Sequence, residues 1–176
     1  MSYDTAQYLL DRANIHDTIT KVPLYYDLRN IAGLRDEVYA QELYLDYTSI
    51  LGGEPFTIAR DEWVDRASKI FESFSSTQHV TSGLVIHLPQ PNTPGVRRPD
   101  TVSLYAQVAG HMVGHPGPDG SSGFAQNGGL LEAEVQRDPA LEKKGQNPWR
   151  ITKYKVIKRW NKGNDDVLSH AQQNYQ

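Results

Sequence analysis

A chain of 176 residues suits one domain with a substantial core, and 38% hydrophobic against 22% charged residues is too apolar for a disordered polymer. A formal charge of −3, with 18 basic residues scattered apart from a cluster between Lys153 and Lys162, excludes the concentrated basic face of a nucleic-acid binder. Without cysteine there is no disulfide, thiolate metal site or cysteine nucleophile, and with no apolar run near the roughly 18 residues of a membrane span the chain reads as cytoplasmic, with no membrane partner.

From Thr5 to Leu28, Tyr8, Leu9, Ile15, Ile19, Val22 and Tyr26 recur three or four apart, the period of a helix with one buried stripe. Pro23 lies inside that pattern, where its missing N–H and its ring predict a kink or break. Residues 31–39 read as a short second helix. Glu42 to Ile50, rich in aromatic and β-branched residues and closed by Gly52-Gly53, reads as the first strand. Thr57 to Phe74 reads as a helix with Trp63, Ala67, Ile70, Phe71 and Phe74 on one face and Asp61 and Glu62 near its N-terminus.

Four strands follow, at Gln78–Leu88, Thr101–Val113, Gly123–Arg137 and Trp149–Trp160, with Pro- and Gly-rich turns after the first two. Helices first and then a meander of long strands predict an α+β fold: a cone-shaped barrel in which a strongly bent antiparallel sheet wraps the N-terminal helices and leaves a ligand cavity. Alternation groups His79, Thr81, Gly83 and Val85 on one face of their strand, and Tyr105, Gln107 and His111 on one face of the next. It leaves open which set faces inward.

Tyr26-Asp27 at the end of the first helix, Leu45-Asp-Tyr-Thr-Ser49 in the first strand, Thr77-Gln-His79 opening the next, and Trp149-Arg-Ile-Thr with Lys158-Arg-Trp160 in the last occur in a telling order and spacing. Together they resemble scytalone dehydratase and its SnoaL-like relatives in the nuclear transport factor 2-like superfamily. The resemblance spans roughly residues 5–162 of a single domain 1–176, leaving 163–176 as a polar tail. It implies a cofactor-independent enzyme in which two tyrosines hold a water against a substrate carbonyl and a histidine beside an aspartate moves protons. The matching positions are Tyr26 and Tyr47, His79 and His111, and Asp27. Where the family has a serine and an asparagine on the penultimate strand, the register adopted here places Leu130 and Glu132. A carboxylate there would turn the chemistry from loss of water towards isomerisation or cyclisation. If Glu132 faces the cavity, Leu131, Ala133 and Val135 must pack outside, against a second copy in a homo-oligomer.

The chemistry stands on general grounds. Histidine titrates near neutrality, so one oriented by a carboxylate can take a proton from carbon beside a carbonyl and return it to a leaving hydroxyl. Tyrosine hydroxyls aimed at the carbonyl oxygen stabilise the developing enolate. The bland reading of Glu132 and Glu134 is a wet strand face. His111, His115 and Asp119 lie on a strand and a Gly/Pro loop, which specifies no convergent metal geometry, and no phosphate loop occurs, so no metal or other cofactor is expected.

The expected function is that of a dehydratase or related isomerase or cyclase on a small, polyketide-like or polycyclic secondary metabolite. Two alternatives compete with it. An epoxide hydrolase of the limonene type would need an Asp-Arg-Asp set, which Arg35 or Arg60 with Asp27 could partly imitate. A non-catalytic ligand-binding or dimerisation domain would have a tightly filled apolar cavity.

Overall fold

The computed structural model describes residues 3–175; Met1, Ser2 and Gln176 of the expected 1–176 domain lie outside the described residues. Helix α1 (Thr5–Asp27) begins at Asp4, whose side chain accepts the Gln7 N–H at 2.8 Å, and it buries Ile15, Ile19, Val22 and Tyr26 at helical spacing. Pro23 does not end it: the helix runs on to Asp27 with Pro23 buried. The expected second helix is one turn, α2 (Ile31–Gly33), continued by a π turn (Leu34–Val38) into strand β1 (Tyr39–Asp46). β1 thus starts earlier than expected and stops before Tyr47, which caps a single turn, α3 (Thr48–Leu51).

Phe56–Ala59 forms an edge strand, β2, so helix α4 (Arg60–Glu72) starts three residues later than its pattern suggested. The β-branched and aromatic run Phe56-Thr-Ile pairs with Leu45–Leu43 rather than joining the helix. α4 buries Trp63, Val64, Ala67 and Ile70, with Asp61 and Glu62 in its first turn. The long strands are β3 (Phe74–Ile86), β4 (Thr101–Pro116), β5 (Ser122–Arg137) and β6 (Trp149–Gly163), with a short α5 (Pro139–Glu142) before β6.

The six strands form one open sheet, ordered β2-β1-β6-β5-β4-β3. It is mixed rather than antiparallel, because β1 runs parallel to β6 while every other neighbour is antiparallel. β1 enters from the helices and is not tied to β6 by a hairpin, so no tight turn imposes the opposite direction. Directly paired residues share a face. Val102, Leu104, Ala106, Leu131, Ala133 and Val135 are buried, so these positions form the inner face against α1 and α4. A bulge at Gly83 (φ +58°) breaks the expected alternation: β3 pairs Ser82 with Gln107 but Val85 with Tyr105, turning Val85 outward.

The segment read as a polar tail folds back. A 3-10 turn (Asp165–Leu168) packs against β5 and β4 and helix α6 (Ser169–Tyr175) against α4, burying Leu168, Ala171 and Tyr175. Far along α1, the fully buried Asp11 accepts from Arg98 Nη2 at 2.6 Å, Arg98 Nε at 2.9 Å and Trp149 Nε1 at 3.0 Å. Arg98 also pairs with Glu142, which Arg137 joins at 2.9 Å, so the loop before β4 is tied to α1, to α5 and to the end of β5.

Candidate active site

Asp27 is the last residue of α1, where the negative end of the helix dipole disfavours a carboxylate. Donors offset that. Oδ1 accepts from His79 Nδ1 at 2.7 Å and from the Thr77 hydroxyl at 2.8 Å, and Oδ2 accepts the His79 backbone N–H at 2.7 Å. Burial alone would raise the Asp27 pKa, but the bonds and charge of His79 and the bond from Thr77 outweigh it and hold the carboxyl below its usual value. An ionised carboxylate can only accept, so Nδ1 of His79 carries a proton, and in the neutral imidazole Nε2 is the free base.

His79 faces inward. Its partner across the sheet is Gly110, and Gly110 in turn pairs with Asn127 on β5. A Cβ on Gly110 would lie 3.1 Å from His79 Cδ2 and 3.2 Å from Nε2, so the imidazole lies over the space a side chain would take. His79, bare Gly110 and Asn127 therefore form a row across three strands, with a floor about two strand spacings, roughly 10 Å, between its ends.

This row opens into a cavity of about 120 Å³. Its walls are apolar and aromatic: Val22 and Tyr26 of α1, Trp63 and Phe71 of α4, Tyr154 and Val156 of β6. Leu168 and Ala171 of the folded-back C-terminal segment close one side. Tyr47 stands in the wall, stacked on Trp63 at 5.9 Å and Tyr154 at 5.8 Å between ring centroids. The Tyr26 hydroxyl lies 2.6 Å from that of Tyr39 and accepts the Trp63 indole N–H at 3.1 Å. Burial pushes the phenols of Tyr26, Tyr39, Tyr47 and Tyr154 up, which keeps them protonated donors.

The structure brings together Asp27, His79, Tyr26 and Tyr47, and separates His111 and Glu132 from them. His111 pairs with Gln78 and Gln126 on the outer face, where the Gln126 amide lies 2.9 Å from its Nδ1. It is one residue from the inward Gly110, and one residue in a strand reverses the face. Glu132 pairs with the exposed Tyr105 and with Lys155, also outside. Val135 is therefore a core residue, and the inward-glutamate argument for an oligomer falls with it.

The amide that the penultimate strand does offer is Asn127, 8% exposed and lining the cavity. Its place five residues before Glu132, beside Gly128-Gly129, was hidden by the register adopted from sequence. Among the described residues, His115 bonds to the Glu72 carbonyl and Asp119 to Ser121, so neither converges with His111. Arg35 and Arg60 pair with Asp61, and Arg35 also with Asp65, so neither makes an Asp-Arg-Asp set with Asp27.

Comparison with known proteins identifies the family and the fold. The family model of the SnoaL-like domain matches residues 7–155. Among solved structures, the Kfla4162 protein of Kribbella flavida is 21% identical, with 90% of this chain and 96% of that chain covered and a TM-score of 0.74. A candidate scytalone dehydratase from Novosphingobium aromaticivorans is 13% identical, with 91% of each chain covered and a TM-score of 0.66. The hexachlorocyclohexane dehydrochlorinase LinA-type3 of Novosphingobium barchaimii is 13% identical, covering 89% of this chain and 92% of that one at a TM-score of 0.64. At these identities the likeness is one of fold. No curated protein matches the chain.

Proposed function

Because the chain belongs to the SnoaL-like domain family, we propose that it is a cofactor-independent acid/base enzyme of the lyase type, eliminating water or a similar small leaving group from a neutral, largely apolar metabolite. The observation that carries this reading is the 2.7 Å bond between His79 Nδ1 and Asp27, which leaves Nε2 as a base over the glycine floor of an apolar cavity.

In the proposed reaction Nε2 takes a proton from a carbon beside an electron-withdrawing group. The C–H electron pair becomes the new double bond as the leaving group departs with its own pair. A departing hydroxide takes the proton back from the imidazolium as water, whereas a halide leaves as the anion and the imidazolium then gives its proton to solvent. Tyr47 from the wall and Asn127 from across the floor are the neutral donors available to a carbonyl or leaving-group oxygen. Among the described cavity-lining residues no Lys or Arg is present to hold an anionic substrate, which favours an uncharged one. The solved dehydratase and dehydrochlorinase of the same fold support elimination as the reaction type.

The test is a mass-spectrometric screen of neutral β-hydroxy ketones and chlorinated alicyclic compounds for loss of water or hydrogen chloride. His79→Ala, still folded by circular dichroism, should lower the rate by about 10²- to 10⁴-fold. Turnover that survives in this variant would overturn the reading. A filled, site-free cavity would instead have favoured a binding module.

A homo-oligomer is proposed on new grounds, the exposed Val80, Val85, Tyr105, Phe124 and Trp160 on the outer sheet face. Sedimentation should show an assembly that Trp160→Glu weakens; a monomer at micromolar concentration would reject it.

A further inference from the structure

Just past α1, Arg29 is the residue whose geometry the dyad itself does not explain. Its backbone sits in the left-handed region at φ +55°, a conformation that non-glycine residues adopt at a cost, and its N–H returns to the Tyr26 carbonyl at 3.1 Å. That sharp reversal folds the side chain back under the helix end. There Nη1 donates to the Tyr26 carbonyl at 2.7 Å and to the Thr77 hydroxyl at 3.0 Å, and Nη2 reaches the Phe74 carbonyl at 3.5 Å. The guanidinium is half-buried, with carbonyls and a hydroxyl as its hydrogen-bond partners and no carboxylate among them.

From that position it reaches His79 by two routes. The polar route runs through Thr77. A guanidinium can only donate, so the Thr77 oxygen must accept from Arg29, and its single proton is left to point at Asp27 Oδ1, 2.8 Å away. That fixed donor holds the carboxylate oxygen that also receives His79 Nδ1–H. The apolar route runs through Phe71. The Arg29 guanidinium lies over its ring at 5.3 Å, and the ring meets the His79 imidazole edge-on at 5.7 Å between centroids.

We propose that Arg29 is a positioning residue: through the one-way chain Arg29 to Thr77 to Asp27, and through Phe71, it holds the Asp27 carboxylate and the His79 imidazole in the orientation that keeps Nε2 on the cavity side. The proposal rests on His79 being the base of the site, but its test does not use turnover, so the two can fail separately. The titratable group facing Asp27 is His79 from β3, and the charged one is Arg29 from the turn after α1.

The full chain, labelled with ¹⁵N, is observed by NMR for the His79 Nδ1 proton, identified by its loss in His79→Gln, and with ¹³C for titration of the Asp27 carboxyl. In the native protein the Nδ1 proton should be visible and protected from exchange with water. Arg29→Gln and Thr77→Val should each speed that exchange roughly tenfold or more, about the equilibrium worth of one charge-assisted hydrogen bond. Both should move the Asp27 titration upward, since each removes support for the ionised form. Thr77→Ser, which keeps the hydroxyl, should restore both. A residue that merely stabilised the turn would leave the exchange and the titration unchanged in a folded variant. Exchange within twofold of native in folded Arg29→Gln overturns the proposal, as does a native protein with its proton on Nε2. Should Arg29→Gln fail to fold, native-like exchange in Thr77→Val overturns it equally.

Discussion

Gly110 is the residue that turns a strand histidine into an accessible base. Any larger residue would press on the imidazole, since the Cβ of alanine would come within 3.2 Å of Nε2. Gly110→Ala is therefore expected to leave the fold intact and to lower turnover at least about tenfold by shifting His79, which a rate measurement beside a thermal melt will show. Asp27→Asn keeps the shape but replaces an obligate acceptor with a group that can also donate, so the imidazole loses its fixed tautomer. Its turnover should fall by roughly 10²- to 10⁴-fold at unchanged substrate affinity. Glu132→Gln should instead match the native rate, because its side chain stands beside Lys155 and Tyr105 on the far side of the sheet. A dead Glu132→Gln enzyme would mean that substrate is handled outside the cavity described.

Among the elements, β5 and β6 carry the sharpest steric demand. Their register shifts between Gly128 and Gly129, and a Cβ at Gly129 would fall 2.0 Å from the Ile157 carbonyl oxygen. Backbone cannot swing away as a flexible side chain can. Gly129→Ala should thus destabilise the sheet by about 1–3 kcal/mol or prevent folding, measured by denaturant titration. Gly128 makes a different allowance, leaving room on the outer face for the Trp160 ring. The extra residue of that shift is Arg159 on β6, so β5 keeps its register with β4 and Asn127 stays paired with Gly110 at the far end of the floor opposite His79. α1 is held at both its ends: Asp4 caps the first turn, and Asp27 ends it by bonding to β3 rather than to solvent.

For the molecule as a whole, acid stability follows from the carboxylates whose ionised form the fold favours. Glu142, bonded by Arg98 and Arg137, and Asp27, bonded by His79 and Thr77, are both held below their usual pKa. A depressed folded-state value contributes stability above the unfolded-state pKa and loses it as pH falls through the folded one. Melting temperature should accordingly change little through these two groups between neutrality and about pH 5, then drop below about pH 4, where unfolded carboxylates begin to bind protons. Differential scanning calorimetry across that range checks it. Removing a partner outright is costlier: Asp11→Ala would leave the Arg98 and Trp149 donors facing a buried gap and should cost about 3–5 kcal/mol.

The order of the long helices and strands and the α+β class were readable in the chain, because side-chain period is a local property, while the meeting of Asp27 with His79 was legible only as an implication of the family resemblance; the short β2 and α6 were not seen. Also readable was the even-numbered face of β4, Val102, Leu104 and Ala106, as one side of a strand. Which side faced the helices was not readable, since period two is blind to it, and that choice alone decides that His79 is inside and His111 outside. The bulge at Gly83 slips the pattern of β3 by a residue where only the neighbouring strand shows it, which is why Val85 was misplaced, whereas Asn127 shares the inner parity of Leu131, Ala133 and Val135 and was missed with the face of β5. The parallel β1–β6 contact, the return of residues 165–175 onto the cavity and the reach of Arg29 to Thr77, 48 positions away, exist only once the chain has closed on itself. Local chemistry chose the residues, and tertiary packing chose which of them meet.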